Sequence, residues 1–387
     1  MSRHDFSPDE FATRRARVAA AMRSQQLDWL VLFHPVSIHW LTGSDAKSYQ
    51  EFQCLLVPAD ASCLTVLTRE GERNEFEQDA LVDKVLTYGG GENQDPIAAF
   101  ERLADTHALR QASVGIEVPA YYLHPHHYLR IREWLGKALV AEPSNLVHDL
   151  KLVKSPVELG YIRLASQRAD AAMTAFTAAL QIGRSELALA GLVMQNLLEA
   201  GSGIAASPIN LVSGERSCFS HGAPTERRLR KGDFGSIEFG ATCRRYTATI
   251  GRQFCIGKPT PRMRELVAIV RQASDACIAR IRDGVPAAEP HAAAKEVIVR
   301  AGLEAYRVHT TGYGLAPGFP PTWGEPLHML ADSPYTLRAG MVVSVEPPVF
   351  IGAEGLGARI IDNLLVTRDG AELLSRTSRE LMTVDVP

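Results

Sequence analysis

The chain has 387 residues, enough for two domains that each bury a core. Its formal net charge of −3, with 46% hydrophobic and 22% charged residues, is that of an ordinary globular protein and gives no electrostatic case for nucleic acid or acidic membranes. The N-terminal MSRHDFSPDE lacks the apolar stretch of a secretory signal, and no apolar run approaches the ~20 residues that a membrane helix needs.

Ser7-Pro8-Asp9-Glu10 is a capping-box start with proline at the first helical position, and predicts a helix to about Gln25. Trp29–Phe33 reads as a short buried strand, and HPVSIHWLTG as a loop into the next element. Phe52–Val57, Leu64–Leu67 and Val114–Ile116 read as further strands, so helices and strands alternate as in a small α/β domain. Gly89-Gly90-Gly91 lacks the spacing and following Lys-Ser/Thr of a phosphate loop and reads as a turn. His124, His126 and His127 have no further ligand type at metal spacing and read as a surface or helix-start cluster.

His148–Ser155 marks a domain boundary, giving residues 1–150 and 151–387. Ser155-Pro156-Val157-Glu158 is a second capping box opening a helix to about Leu180, with Leu159, Ile162, Ala165 and Ala169 on one face. Another helix runs from Ser185 to about Ala200, followed by strand Ile209–Ser213. Gly232–Gly257 is a β-ribbon turning near Cys243–Arg244. Thr260-Pro261 caps a helix to about Asp283, and Pro290–Ala301 is the next. HTTGYGLAPGFPPTWGEP reads as a glycine- and proline-rich loop, ahead of strands Met341–Val345 and Ile360–Val366. The second domain is therefore α+β, with paired helices on a largely antiparallel, curved sheet. The six cysteines have no CxxC or regular spacing, which predicts reduced thiols in a cytoplasmic protein.

Two carboxylates interrupt apolar strands: Glu238 on the ribbon and Glu346 in VVSVEPPVF. A carboxylate there must be paired, metal-bound or functional, because burying it alone is expensive. With His221, in CFSHGAPTERRLRKGD, they are the parts of a general acid/base site suited to hydrolysis, in which one group deprotonates water and another protonates a leaving nitrogen. GxSxG is absent, and Cys218 has no triad signature beyond closeness to His221 in sequence. Tyr313, Trp323 and Glu325 lie in the stiff aromatic loop, which can wall a pocket for a small cationic or zwitterionic ligand, with Gly312, Gly314 and Gly318 permitting close backbone approach.

Across nearly its whole length the chain resembles the creatinase/Xaa-Pro peptidase (M24) superfamily. The matching stretches are HPVSIHWLTG, LKLVKSPVELGYIRLA, SHGAPTERRLRKGD, the ribbon, TTGYG and LRAGMVVSVEPPVF. The resemblance implies a pita-bread C-terminal domain behind a smaller α/β N-terminal domain. Peptidases of this superfamily hold two metal ions with two Asp, one His and two Glu. Those positions fall here on Glu238, Thr249, Tyr313, Glu346 and Ile361, the last beside Asp362. Only two carboxylates remain, which implies no metal and no other cofactor. Creatinase and ectoine hydrolase work without metal, and the ectoine hydrolases also share the Arg245-Tyr246 pair, the Phe319–Glu325 stretch and His39–Gly43. Glu346-Pro347-Pro348 is instead creatinase- or peptidase-like, and Arg359 stands where ectoine hydrolases carry an acidic residue.

The expectation is thus a metal-independent hydrolase of a C–N bond in a small amidine- or guanidine-type substrate. Its catalytic residues would be His221, Glu238 and Glu346. Its substrate-binding residues would be Tyr313, Trp323 and Glu325, with Trp40 and Phe52 supplied by the N-terminal domain of the partner in a homodimer. The alternatives are an Xaa-Pro dipeptidase or aminopeptidase with an altered metal centre, and a non-catalytic binding protein. No nucleic-acid or membrane partner is expected.

Overall fold

The structure, a computed structural model, describes residues 2–45, 48–119 and 121–385. It divides into two compact units, Met1–Lys151 and Leu152–Pro387.

The first unit has a six-stranded sheet of β1 (Trp29–Leu32), β2 (Cys54–Pro58), β3 (Thr65–Arg69), β4 (Lys84–Tyr88), β5 (Val114–Ile116) and β6 (Leu139–Ala141), in the order β4-β3-β2-β1-β5-β6. Side chains alternate across a strand, and β1 shows it. Leu30 and Leu32 pack with Val18, Met22, Ile38, Trp40 and Leu41 on one face. Val31 and Phe33 pack with Phe52, Ile97, Phe100 and Ile131 on the other. Helix Pro8–Ser24 starts as its capping residues require, with Ser7 Oγ accepting from Glu10 N. HPVSIHWLTG is not a loop. Pro35–Thr42 is a helix, opened by His34 Nδ1 accepting from Val36 N at 3.2 Å and closed by Gly43 at φ 80°. A histidine cap is uncommon, but Pro35 at the first helical position and Gly43 past the last turn are ordinary helix signals that the sequence reading passed over. His124 plays the same role for helix Pro125–Leu135.

In the second unit the nine-stranded sheet has the path β16-β15-β12-β10-β9-β8-β7. The strands of this unit are β7 (Asn210–Ser213), β8 (Phe234–Cys243), β9 (Tyr246–Ile256), β10 (Gly312–Phe319), β11 (Thr322–His328), β12 (Val342–Val345), β13 (Val349–Ile351), β14 (Leu356–Ala358), β15 (Asp362–Val366), β16 (Ala371–Leu373) and β17 (Met382–Val384). β11 pairs β10, and β17 joins β9 in parallel. β13 and β14 form a separate hairpin. Helices Pro156–Ala179 and Glu186–Glu199 pack on the ribbon through Phe176, Leu189, Ile237 and Phe254. Helices Pro261–Ile278 and Ala288–Arg300 pack beside β12 and β15 through Leu266, Val270, Ile298 and Val343. Ser155 and Glu158 form the full reciprocal capping box.

The stretch read as a glycine- and proline-rich loop is a hairpin, β10 and β11 joined at Pro320-Pro321. Its glycines serve sheet packing. A Cβ at Gly312 would sit 2.0 Å from Ser344 O. Gly312→Ala is expected to cost about 1–3 kcal/mol by overpacking, read as a lower urea midpoint; an unchanged midpoint would refute this account of the hairpin.

Candidate active site

Strand order brings the chemistry together. Asn210 on β7 lies opposite Glu238 on β8, and Glu238 lies opposite Gly251 on β9. Tyr313 on β10 lies opposite Ser344 on β12. Glu346 follows β12 directly, its backbone N–H donating to Thr311 O at 2.8 Å. Residues far apart in the chain thus occupy neighbouring strands of one sheet.

Glu238 is buried. Its Oε2 accepts from Asn210 Nδ2 at 3.1 Å and is ion-paired with Arg359. Arg359 Nη2 also donates to Ser220 O at 3.0 Å, beside His221. Glu346 is 1% exposed. Its Oε2 accepts from Ser344 Oγ at 3.3 Å, and its Oε1 lies 3.4 Å from His309 Nδ1. Burial, the largest cause, pushes the Glu346 carboxyl up to about 8, against the Arg359 charge that lowers it. It is therefore largely protonated at neutral pH.

His309 Nδ1 lies 3.2 Å from Thr310 O. A carbonyl only accepts, so Nδ1 carries the proton and Nε2 is the free acceptor of the neutral ring. Burial, then the Arg359 charge, hold His309 down at about 4. His221, on the exposed side of the cluster, has its ring 5.1 Å from that of His309. Desolvation and Arg359 lower it, while Glu238 raises it. At neutral pH the site thus holds two neutral imidazoles, a protonated carboxyl and a carboxylate–guanidinium pair.

Tyr313 Oη accepts from Trp323 Nε1 at 3.0 Å. Burial, then the charges of Glu346 and Glu238, raise the Tyr313 phenol, so it keeps its proton. Of the expected site residues, His221, Glu238, Glu346, Tyr313 and Trp323 come into one neighbourhood. Glu325 is spent elsewhere, its Oε2 accepting from buried Lys154 Nζ at 2.6 Å. Trp40 is 1% exposed in the N-terminal core, with the Arg14 and Arg17 guanidinia over its ring. Phe52 packs on Phe33, Tyr88, Phe100 and His127. Phe52 also lines a cavity of the N-terminal unit with Glu51, Tyr88 and His127. His309, Asn210, Ser344 and the pairing role of Arg359 were not read from the sequence. The one available signal was the histidine that opens HTTGYG, four residues before Tyr313.

A two-metal group does not fit these residues. A hard divalent cation needs several ionised or neutral O/N donors aimed at one point. Glu238 is taken by Arg359. Thr249 Oγ1 accepts from Asn363 Nδ2 at 2.8 Å. Ile361 is apolar and packs on Gly251, where a Cβ would meet its Cγ1 at 2.6 Å. Asp362 is bound by Arg252 and Arg379. Among the described residues no group of three or more His, Cys, Asp or Glu is arranged to hold a metal ion.

Comparison with known proteins places this architecture. The model of metallopeptidase family M24 matches residues 160–368, and that of the creatinase/prolidase N-terminal domain matches residues 14–153. An Xaa-Pro dipeptidase of Pyrococcus furiosus is 27% identical over 95% of this chain and 99% of its own. The Xaa-Pro dipeptidase of Pyrococcus horikoshii is 28% identical over 75% of this chain and 81% of its own. The solved dipeptidase PepE of Mycobacterium ulcerans superposes with a TM-score of 0.85 at 28% identity, covering 98% of this chain and 100% of that one. These relatives correct the expected activity. They are named for peptide substrates, so hydrolysis of an amidine or guanidine by an ectoine-hydrolase- or creatinase-like enzyme, acting on a non-peptide C–N bond without metal, is not the reading that similarity supports. That expectation rested on Thr249, Tyr313 and Ile361 standing where the peptidases carry metal ligands. Among the described residues no helix is long and apolar enough to cross a membrane.

Proposed function

The chain belongs to metallopeptidase family M24, and on that premise we propose that it hydrolyses the peptide bond of a small Xaa-Pro-type dipeptide at an altered centre. The observation that carries the reading is that His221, Glu238, His309 and Glu346 remain clustered in a chain that matches dipeptidases almost end to end. The neutral imidazoles supply acceptors for a proton of water, and the protonated Glu346 supplies a donor for the leaving amine nitrogen. Glu238 is oriented by Asn210 and Arg359. Tyr313 and Trp323 wall the same neighbourhood. The protein is read as a homodimer of the cytoplasm, and light scattering at twice the chain mass would support the dimer.

The test is proline release from Gly-Pro, Ala-Pro and Met-Pro, with chelator in one arm and added Mn²⁺ in another. Release in either arm, lost in His221→Ala, supports the reading, and no release in both overturns it. A second reading is that the site binds such a molecule without turning it over. One observation favours it: Thr249, Tyr313 and Ile361 stand at three of the five positions where the peptidase pattern has ligands. Saturable dipeptide binding without turnover would establish it.

A further inference from the structure

His221 sits in the loop between β7 and β8, whose one helical turn is the 3-10 segment Gly214–Cys218. Among the described residues its ring makes no hydrogen bond; its contact is with the His309 ring, 5.1 Å away. Nothing at the ring itself fixes its place. The backbone that carries His221 must do so.

That backbone is framed from one point. Glu186 is the first residue of helix Glu186–Glu199 and is 0% exposed. Its Oε1 accepts from Ser213 Oγ at 2.7 Å. Its Oε2 accepts from Thr225 N at 3.0 Å, from Thr225 Oγ1 at 2.8 Å and from Arg216 Nη1. Arg216 then closes the loop on itself. Its Nη1 also donates to Thr225 Oγ1 at 3.1 Å, and its Nη2 donates to Ala223 O at 2.6 Å. Arg216 lies before His221 in the chain, and Ala223 and Thr225 lie after it, so the guanidinium spans the histidine. Gly222, next to His221, is held by contact: a Cβ there would meet Val212 Cγ1 at 2.1 Å, and its O accepts from Leu211 N at 3.0 Å.

A buried carboxylate with this many donors is satisfied and asks for no ligand. A pair that served only as cement would join two regular elements. This one joins a helix start to a loop, and its bonds land on both sides of His221. A guanidinium fork is planar and rigid, so it fixes Ala223 O relative to Glu186 more narrowly than an ammonium would.

We infer that Glu186 and Arg216 are positioning residues for His221: the buried carboxylate orients the guanidinium, and the guanidinium sets the backbone that aims the imidazole. The inference deepens the dipeptidase reading. It rests on that reading for its effect on turnover, and on geometry alone for the placement of the ring.

The test compares the full-length protein, carrying ring-labelled histidine, with Glu186→Gln and with Arg216→Lys, which keeps the charge but loses the fork. The NMR resonance of the His221 ring, assigned through His221→Gln, is expected to move in both variants. Those of His291, buried in helix Ala288–Arg300, and of His34 and His148 in the N-terminal unit should stay in place. With Gly-Pro as substrate both variants should lower kcat about 10–100-fold, the scale of a small misplacement of a reacting group, with KM changed by less than about threefold. A His221 resonance that stays in place would overturn the inference. So would a His291 resonance that moves as much, because the unit has then loosened as a whole. Unchanged kcat beside a shifted His221 resonance also counts against it. If Glu186→Gln does not fold, Arg216→Lys decides, since the Arg216 side chain is 19% exposed and reaches the edge of the loop. If the unaltered protein releases no proline in chelator or with Mn²⁺, the dipeptidase reading falls, and the ring resonances still decide whether Glu186 and Arg216 place His221.

Discussion

Glu325→Ala is expected to lower the stability of the C-terminal unit by about 3–5 kcal/mol, because it strands a buried lysine. Lys154 and Glu325 side chains are each 1% exposed and 2.6 Å apart. Lys154 Nζ also donates to Leu152 O at 3.1 Å, which alone does not compensate an ammonium out of water. The double variant Lys154→Met/Glu325→Leu should recover most of the loss, since two apolar side chains of similar volume leave no charge behind. Urea unfolding of the four proteins, read as a double-mutant cycle, is the measurement. If Glu325→Ala has the midpoint of the unaltered protein, the pair is not buried as described.

Glu346→Gln is expected to lower kcat on a turned-over dipeptide by about 10²–10⁴-fold, the usual worth of a positioned proton donor. The glutamine keeps the shape and a donor but cannot release a proton. KM should change less than kcat, and a variant with unchanged kcat would remove Glu346 from the chemistry. A stability effect follows from the same carboxyl. Its folded pKa of about 8 lies above its ordinary 4.5. The folded state thus holds a proton that the unfolded chain releases. The contribution is fully present below about pH 4.5 and is lost as pH rises toward 8. Between those limits the unaltered protein should lose stability relative to Glu346→Gln, whose profile lacks this term. Parallel profiles for the two proteins would contradict the raised carboxyl.

Much of the fold was legible because its signals are local. The capping box at Ser155 and Glu158 and the proline at the start of helix Pro156–Ala179 act within one turn of chain. The ribbon of β8 and β9 was legible from its alternation. Its turn, at Arg244 and Arg245 with φ of 52° and 66°, falls next to the expected position without glycine or asparagine to mark it. The β10–β11 hairpin was missed because Gly and Pro weigh toward loops, while here two prolines make the turn and the glycines let neighbouring strands close in. Helix Pro35–Thr42 was missed because it is short and its cap is a histidine side chain, although Pro35 and Gly43 bound it.

The sequence by itself determined which groups are available for chemistry. His221, Glu238 and Glu346 stand out because charge inside apolar runs needs a reason, and Thr249, Tyr313 and Ile361 show that most of a peptidase metal set is replaced. Only the tertiary structure decided how those groups are used. Arg359 lies 121 residues from Glu238 along the chain yet takes it as its partner. His309 comes against Glu346, and Glu325 pairs with Lys154. The protonation of Glu346 is likewise a consequence of being sealed from water beside named charges. Residue type is local, but pairing and desolvation depend on strands brought together from distant parts of the chain, and they decide whether a carboxyl is a base, an acid or half of an ion pair.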